Sequence, residues 1–239
     1  MIYSELVSLK NLFRAWDKFS LGKSRKEDMI KFWNNLEDNI FELHKDLKGL
    51  EYRHGAYERF VVNDPKKRII HKAEVRDRVV HQIVFDYLGV FFEKSFIFDS
   101  YSSRINKGTH RAVKRLNLFC RKAYFNNPYT CWALKCDINK FFDNIDHCVL
   151  FNLIKRKIKD VKALMLVEKI LKSFGCDQKG LPLGNLTSQL FANIYLNELD
   201  YFIKNILKIK KYVRFNDDFV IVCRDRDFLE SIILKFKNF

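Results

Sequence analysis

The chain lacks any apolar run approaching the length of a membrane span, and Met1-Ile-Tyr-Ser-Glu has neither the basic nor the apolar segment of a secretory leader. Its six cysteines, at 120, 131, 136, 148, 176 and 223, include no Cys-x-x-Cys pair and no matching His-x-x-x-His, which argues against zinc. Scattered apolar settings such as Val222-Cys223 predict buried thiols in a reducing compartment, so the expected location is the cytoplasm, with no membrane partner. Acidic charge is also short: 29 Asp and Glu face 44 Lys and Arg, a formal net charge of +15. Such an excess points to a polyanion, because basic side chains displace counterions from phosphates; a merely solvated basic surface is the other reading of the charge alone. What is plentiful is core material. Hydrophobic residues at 48% and aromatics at 15% set disorder aside, and 239 residues suit one moderately large unit or two intimately joined subdomains.

Two stretches carry acids in settings that suggest chemistry. Tyr212 to Cys223 reads Tyr-Val-Arg-Phe-Asn-Asp-Asp-Phe-Val-Ile-Val-Cys, two β-prone runs flanking Asn216, Asp217 and Asp218, as in a hairpin with its turn at the acids. Asn and Asp are common in ordinary tight turns, so a plain hairpin accounts for this stretch alone. Neighbouring side chains on a strand point to opposite faces, however, and a hairpin tip is what lets two carboxylates reach one point. Cys131 to Asp146 supplies a partner: an apolar strand ends at Asp137, then come Phe141, Phe142 and more acids. Magnesium is a hard ion held by carboxylates, water and substrate phosphates, and two such ions can clamp the attacking and leaving oxygens of a phosphoryl transfer.

The strand-Asp137-x-x-x-Phe-Phe setting and Phe215-Asn216-Asp217-Asp218 resemble the two catalytic motifs of reverse transcriptases. Between them Gly180-Leu-Pro-Leu-Gly-Asn-Leu-Thr-Ser-Gln189 is similar to the family's nucleotide-binding turn. Leu183-Gly184 and Ser188-Gln189 stand where most relatives have Gln-Gly and Ser-Pro, and that variant looks like the bacterial enzymes of diversity-generating retroelements, which miscopy template adenines. The resemblance implies an α+β fold: right-hand polymerase fingers and palm, an antiparallel palm sheet packed on helices, and no thumb. It assigns 1–50 to a helical extension, 51–98 and 147–182 to fingers, and 99–146 and 183–239 to palm. It also implies two Mg2+ ions, with Mn2+ as an alternative, on Asp137, Ile138, Asp217 and Asp218. The implied partners are template RNA, a DNA or RNA primer, deoxynucleoside triphosphates and a small basic accessory protein. A retron or phage-defence polymerase, or an idle RNA-binding remnant, are the alternatives. Phe215 replaces the commoner tyrosine, a loss of one hydrogen bond, typically ~1 kcal/mol.

The rest of the chain reads around these motifs. Leu6, Leu9, Leu12, Phe13 and Trp16 keep one helical stripe. A capping box at Ser24-Arg-Lys-Glu27 opens a second helix, with Trp33, Leu36, Ile40, Leu43 and Leu47 on one face and Gly49 to end it. These helices either cover the core or help hold template. A hairpin turning near Asn63-Asp-Pro-Lys carries Lys67 and Arg68, the arginine suited to a triphosphate by its planar fork, although charges at a hairpin tip are usually just solvated. In the helix from Glu74 to Phe92, Val75, Val79, Ile83 and Val84 face inward and Arg76, Arg78 and His81 other sides. Arg76 and Arg78 either bind nucleotide and nucleic acid or join Asp77 in a surface ion network. Arg104, Lys107 and Arg111 cluster at the start of a helix capped by Thr109, carrying Ala112, Val113, Leu116 and Phe119; a phosphate site and a plain basic loop compete there. The resemblance makes Phe142 the gate against a 2′-hydroxyl, places Gln189 at nucleotide or template, and sets Phe215 and Asn216 beside nucleic acid. Asp143 and Asp146 are expected to cap the next helix, helices follow at 148–157 and 161–174 with a stop at Gly175, and a final helix carries Phe228, Leu229, Ile232, Ile233 and Phe236.

Overall fold

The computed structural model describes residues 2–23, 25–63, 66–124, 131–175 and 177–237, the last by its backbone only. The chain divides into two compact units, Met1–Lys94 with Phe142–Tyr195, and Ser95–Phe141 with Leu196–Phe239.

In the first unit the expected N-terminal helices are each broken once. Helix α1 (Tyr3–Leu6) stops at Val7, and Ser8 caps α2 (Leu9–Ser20) by accepting from Asn11 N at 3.4 Å. Helix α3 (Glu27–Asn34) gives way at Asn35 (φ −126°) to α4 (Leu36–Lys48). Ser24 of the expected capping box lies outside the described residues, and the residue in the cap position is Lys26, with no side-chain bond. Gly49 does end α4, but in right-handed geometry, and Leu50 takes the positive φ of 62°. Trp33 is an outlier from its predicted stripe: it is exposed, 6.0 Å from the ring of buried Trp16, while Ile40, Leu43 and Leu47 are wholly inside.

Strands β1 (Glu58–Asn63) and β2 (Lys67–Lys72) form an antiparallel pair from Glu58 opposite Lys72 to Asn63 opposite Lys67; residues 64 and 65 of the turn lie outside the described residues. Helix α5 (Val75–Phe92) buries Val75, Val79, Ile83 and Val84 as its pattern predicts and packs on α2. His81 belongs inside as well, not on an outer side. Its Nδ1 lies 2.5 Å from Thr187 Oγ1, and its Nε2 is 3.0 Å from His54 Nε2. Asp77, also buried, accepts from Tyr52 Oη at 2.7 Å and from Gly55 N at 2.9 Å.

Helix α6 (Thr109–Tyr124) and strand β3 (Trp132–Cys136) belong to the second unit. Thr109 is already helical, following Gly108 at φ 110°, and of the apolar residues on this helix Ala112 and Phe119 are buried while Val113 is exposed. A short α7 (Phe141–Asn144) contains Asp143, so Asp146 alone caps α8 (His147–Lys157), accepting from Val149 N at 3.0 Å. Helix α9 (Val161–Lys172) is capped by Asp160. Gly175 then turns the chain at φ 91°. Helix α10 (Leu186–Tyr201) crosses the division between units, and residues 183–195 fall in the first unit, whereas the sequence groups them with 99–146. The cause is local: His71 N donates to Leu183 O at 2.9 Å, and Asn185 Nδ2 donates to His71 O at 2.8 Å.

Strands β4 (Tyr212–Phe215) and β5 (Asp218–Cys223) complete a three-stranded antiparallel sheet in the order β3-β5-β4. One face packs on α6 through Tyr101, Ala112, Phe119, Ala123, Val213 and Val222. Helix α11 (Arg226–Lys237) buries Leu229 and Ile232 but leaves Phe228 and Ile233 partly in solvent. The five described cysteines are free thiols, half-buried or exposed, so the expected buried setting does not hold for Cys223.

Burial first, and then the nearby His54 and Arg78, push the His81 imidazole down from 6.5 to about 3. The unfolded chain therefore takes up a proton that the folded chain refuses, and stability falls as pH drops from about 6.5 toward 3, by up to about 1.4 kcal/mol per pH unit. Urea unfolding at pH 7, 6 and 5 measures this slope, and His81→Gln flattens it; identical slopes in the two proteins would refute the assignment. Gly175→Ala is expected to cost at least about 1–3 kcal/mol, since a Cβ there would stand 1.9 Å from Lys179 O in left-handed backbone.

Candidate active site

The acids singled out by the sequence lie at one end of the three-stranded sheet, and strand register puts them there. Cys136 pairs with Phe219 as the last rung of the β3–β5 ladder, so Asp137 follows directly at the end of β3 where Asp218 begins β5. Phe215 pairs with Asp218, leaving Asn216 and Asp217 as a two-residue hairpin turn. The tight turn needs left-handed backbone at its first residue, and Asn216 supplies φ 54°.

The side chains are not drawn into one cluster. Among the described residues no three of His, Cys, Asp and Glu are gathered for a metal ion. Asp218 Oδ1 lies 3.5 Å from Lys135 Nζ, both well exposed, a pair worth little in water. Three carboxylates are nonetheless hard-donor chemistry of the kind that suits a divalent ion, and Ile138 follows Asp137 just beyond the end of β3.

Beneath the turn lies a feature the sequence reading missed. Arg214, wholly buried, meets wholly buried Asp200 in a bidentate pair, Nε to Oδ1 at 2.8 Å and Nη2 to Oδ2 at 2.7 Å. Burial alone would lower the guanidinium, but the charge and hydrogen bonds of Asp200 outweigh it and hold Arg214 above its ordinary value. Tyr212 donates to the same Asp200 Oδ1 at 2.6 Å. A signal for this was available: a lone arginine inside the apolar run Tyr-Val-Arg-Phe needs a buried carboxylate somewhere in the chain. Phe215 is half-buried and packs on the α6 cluster, and the Asn216 side chain accepts from Ser102 Oγ.

Several of the bases expected to meet nucleic acid are engaged within the protein. Arg104 Nη1 donates to Ile97 O at 2.7 Å and Ser100 O at 2.9 Å. Lys107 Nζ donates to Phe98 O at 2.7 Å and sits 3.6 Å above the Phe98 ring, and Arg111 donates to Asn106 O. In the first unit Arg76 pairs with Asp46 and Arg78 with Asp28. The network imagined within Arg76-Asp77-Arg78 is thus corrected: acids on α3 and α4 take the arginines, while Asp77 turns inward. Lys67 and Arg68 are exposed on β2, and Gln189 is exposed on α10. Gly184 has φ 106° and its Cα faces Ile70 of β2, a Cβ there coming within 2.7 Å of Ile70 Cγ2. Phe142 is half-buried, its carbonyl accepting from Leu181 N at 2.8 Å.

No helix is long and apolar enough to cross a membrane among the described residues. Residues 63–239 match the family model described as reverse transcriptase (RNA-dependent DNA polymerase). The chain is 32% identical over 184 residues to the group II intron-encoded protein LtrA of Lactococcus lactis subsp. cremoris, covering 73% of this chain and 29% of that protein. It is 30% identical over 179 residues to an uncharacterized 91 kDa protein in the cob intron of Schizosaccharomyces pombe, covering 71% of this chain and 21% of that one. It thus spans under a third of the length of either relative. The fold is shared with apo telomerase from Candida tropicalis (TM-score 0.56, 12% identity, 87% of this chain and 46% of that one). It is shared too with a chain of a partial Cas6-RT-Cas1–Cas2 complex (TM-score 0.51, 18% identity, 98% of this chain and 40% of that one). With an α+β fold of the polymerase fingers-and-palm class and a family match over most of its length, the chain belongs to the reverse transcriptase (RNA-dependent DNA polymerase) family.

Proposed function

We propose that the chain carries out RNA-templated DNA synthesis by two-metal nucleotidyl transfer, its first unit acting as fingers and its second as palm. The observation that carries this is the register of β3, β5 and β4, which brings Asp137, Asp217 and Asp218 to one sheet end. Those three carboxylates, with Ile138 alongside, would hold magnesium or manganese. Such ions, when bound, neutralise charge on the oxygens of a phosphoryl transfer. In the reaction a primer 3′-oxygen bonds to the α-phosphorus of a deoxynucleoside triphosphate and pyrophosphate leaves. Lys67 and Arg68 are free to approach the triphosphate because they project from exposed β2 positions. The bare backbone of Gly184 admits close approach of a nucleotide, Gln189 contacts nucleotide or template, and Phe142 excludes a ribose 2′-hydroxyl. In the first unit Arg76 attends the nucleotide and Arg78 the nucleic acid, and in the second Arg104, Lys107 and Arg111 attend nucleic acid, their charges already partly answered from within.

The Leu183-Gly184 and Ser188-Gln189 variant supports placing the enzyme with diversity-generating retroelements, with a small basic protein as accessory partner. The intron-encoded relatives support a second reading, an intron-type enzyme. A cytoplasmic location accompanies either.

Primer extension on an RNA template with Mg2+ tests the activity. Asp137→Asn and Asp217→Asn are each expected to lower incorporation by at least about 10³-fold, a loss of several kcal/mol of transition-state stabilisation, with RNA affinity retained. Equal RNA binding with no incorporation even by the wild type would make the chain a binding remnant. Sequencing the DNA product separates the subtypes: errors concentrated opposite template adenines mark the retroelement enzyme, and errors without that concentration the intron-type one.

A further inference from the structure

The turn that presents Asp217 is gripped at both its main chain and its side chain. The segment before α6 runs alongside β4, with Ser100 bridged to Arg214 in parallel sense. Arg214 N donates to Asp99 O at 2.9 Å and Tyr101 N to Arg214 O at 3.0 Å. Two residues further in the same sense, Ser102 comes level with Asn216, and its hydroxyl donates to Asn216 Oδ1. From below, Arg214 Nη1 donates to Asn216 O at 3.0 Å. The guanidinium cannot swing, because Asp200 takes Nε and Nη2 together and Ser100 Oγ accepts from Nη2 at 3.1 Å. Ser102 is itself buried, so its hydroxyl spends little of its bonding on water.

We propose that Ser102, Asn216 and Arg214 form a clamp that fixes the β4–β5 turn and thereby the direction in which Asp217 is presented. They are positioning residues for the polymerase reaction, and Asn216 serves the protein's interior, not the nucleic acid as its place in the motif suggests. The inference rests on the polymerase reading for its consequence but not for its geometry. A two-residue turn has few bonds of its own, and a carboxylate on it wanders unless something outside the hairpin holds the preceding residue. Here a hydroxyl from a different segment and a charge-locked arginine do so.

The test uses Ser102→Ala, which removes one donor, and Asn216→Gly, which keeps the left-handed backbone and deletes the Oδ1 acceptor. Arg214 is left in place, because removing it would strand Asp200 as a buried unpaired charge. Three quantities are read on the full chain: amide hydrogen exchange at residues 216–218, Mn2+ affinity by electron paramagnetic resonance without substrates, and steady-state primer extension. In both variants exchange at the turn is expected to quicken about five- to tenfold, the scale of one lost hydrogen bond, while β3 and the rest of β5 are unchanged. Mn2+ affinity and kcat fall by similar factors, and the KM for nucleotide stays near wild type. Wild-type exchange and Mn2+ affinity in both variants would overturn the clamp. So would Asn216→Gly weakening RNA binding while Ser102→Ala changes nothing, which would return Asn216 to the nucleic acid. If the wild type and Asp217→Asn both fail to incorporate, the polymerase reading fails, and the exchange measurements still decide the clamp.

Discussion

A guanidinium and a carboxylate with no exposed surface, Arg214 and Asp200, are the constraint on which the end of the second unit that carries Asp217 and Asp218 depends. Taking both charges out of water costs several kcal/mol each, so such a pair contributes little net stability compared with well-packed apolar residues. What it does is admit one arrangement. Only when the α10 carboxylate stands at the bidentate distance are the arginine's other donors aimed at Ser100 and at the Asn216 carbonyl. The hairpin, the segment before α6 and the end of α10 are thereby held to a single register, with Tyr212 bracing the same carboxylate from the neighbouring position on β4.

The first unit follows the same logic with weaker charges. Asp77 collects Tyr52 and the Gly55 amide, and His81 joins His54 to Thr187, so that the chain entering β1 and the start of α10 are tied to one face of α5. These bonds, with those between His71 and residues 183 and 185, fasten the glycine turn beside the basic hairpin. An arginine's five donors make it as good a staple as a phosphate ligand, and Arg104, Arg111, Arg76 and Arg78 are all used in that way here. Each ion pair takes one charge of either sign, so the net charge of +15 stands, and what falls is the number of basic side chains available to a polyanion.

Much of the architecture was legible from local pattern. The β4–β5 hairpin, the inward stripe of α5 and the Asp146 cap all follow from period, cap and turn chemistry, each of which acts over a few residues, while β3 ends one residue before Asp137 and α9 stops at Lys172, ahead of Gly175. The misreadings share a cause. Period alone puts Trp33 on the apolar stripe, but whether a helical face is covered depends on which other element arrives there. The long N-terminal helix was read through Asn35 because a break of one residue hardly disturbs the apolar spacing. His81 looked like a surface histidine until Thr187, 106 positions away, closed over it.

The order of the motifs and the residue types they contain, three acids on strand ends, a glycine turn between them and an aromatic pair after the first acid, are written in the chain itself, because chemistry demands those atoms and local geometry demands that spacing. How the acids come to one sheet end, which arginines are spent on carboxylates, and what holds Asn216 were settled only by folding. Those outcomes turn on contacts between separate segments, from 14 residues apart for Arg214 and Asp200 to 114 for Ser102 and Asn216, and a hydrogen bond carries no trace in sequence of the partner it will find.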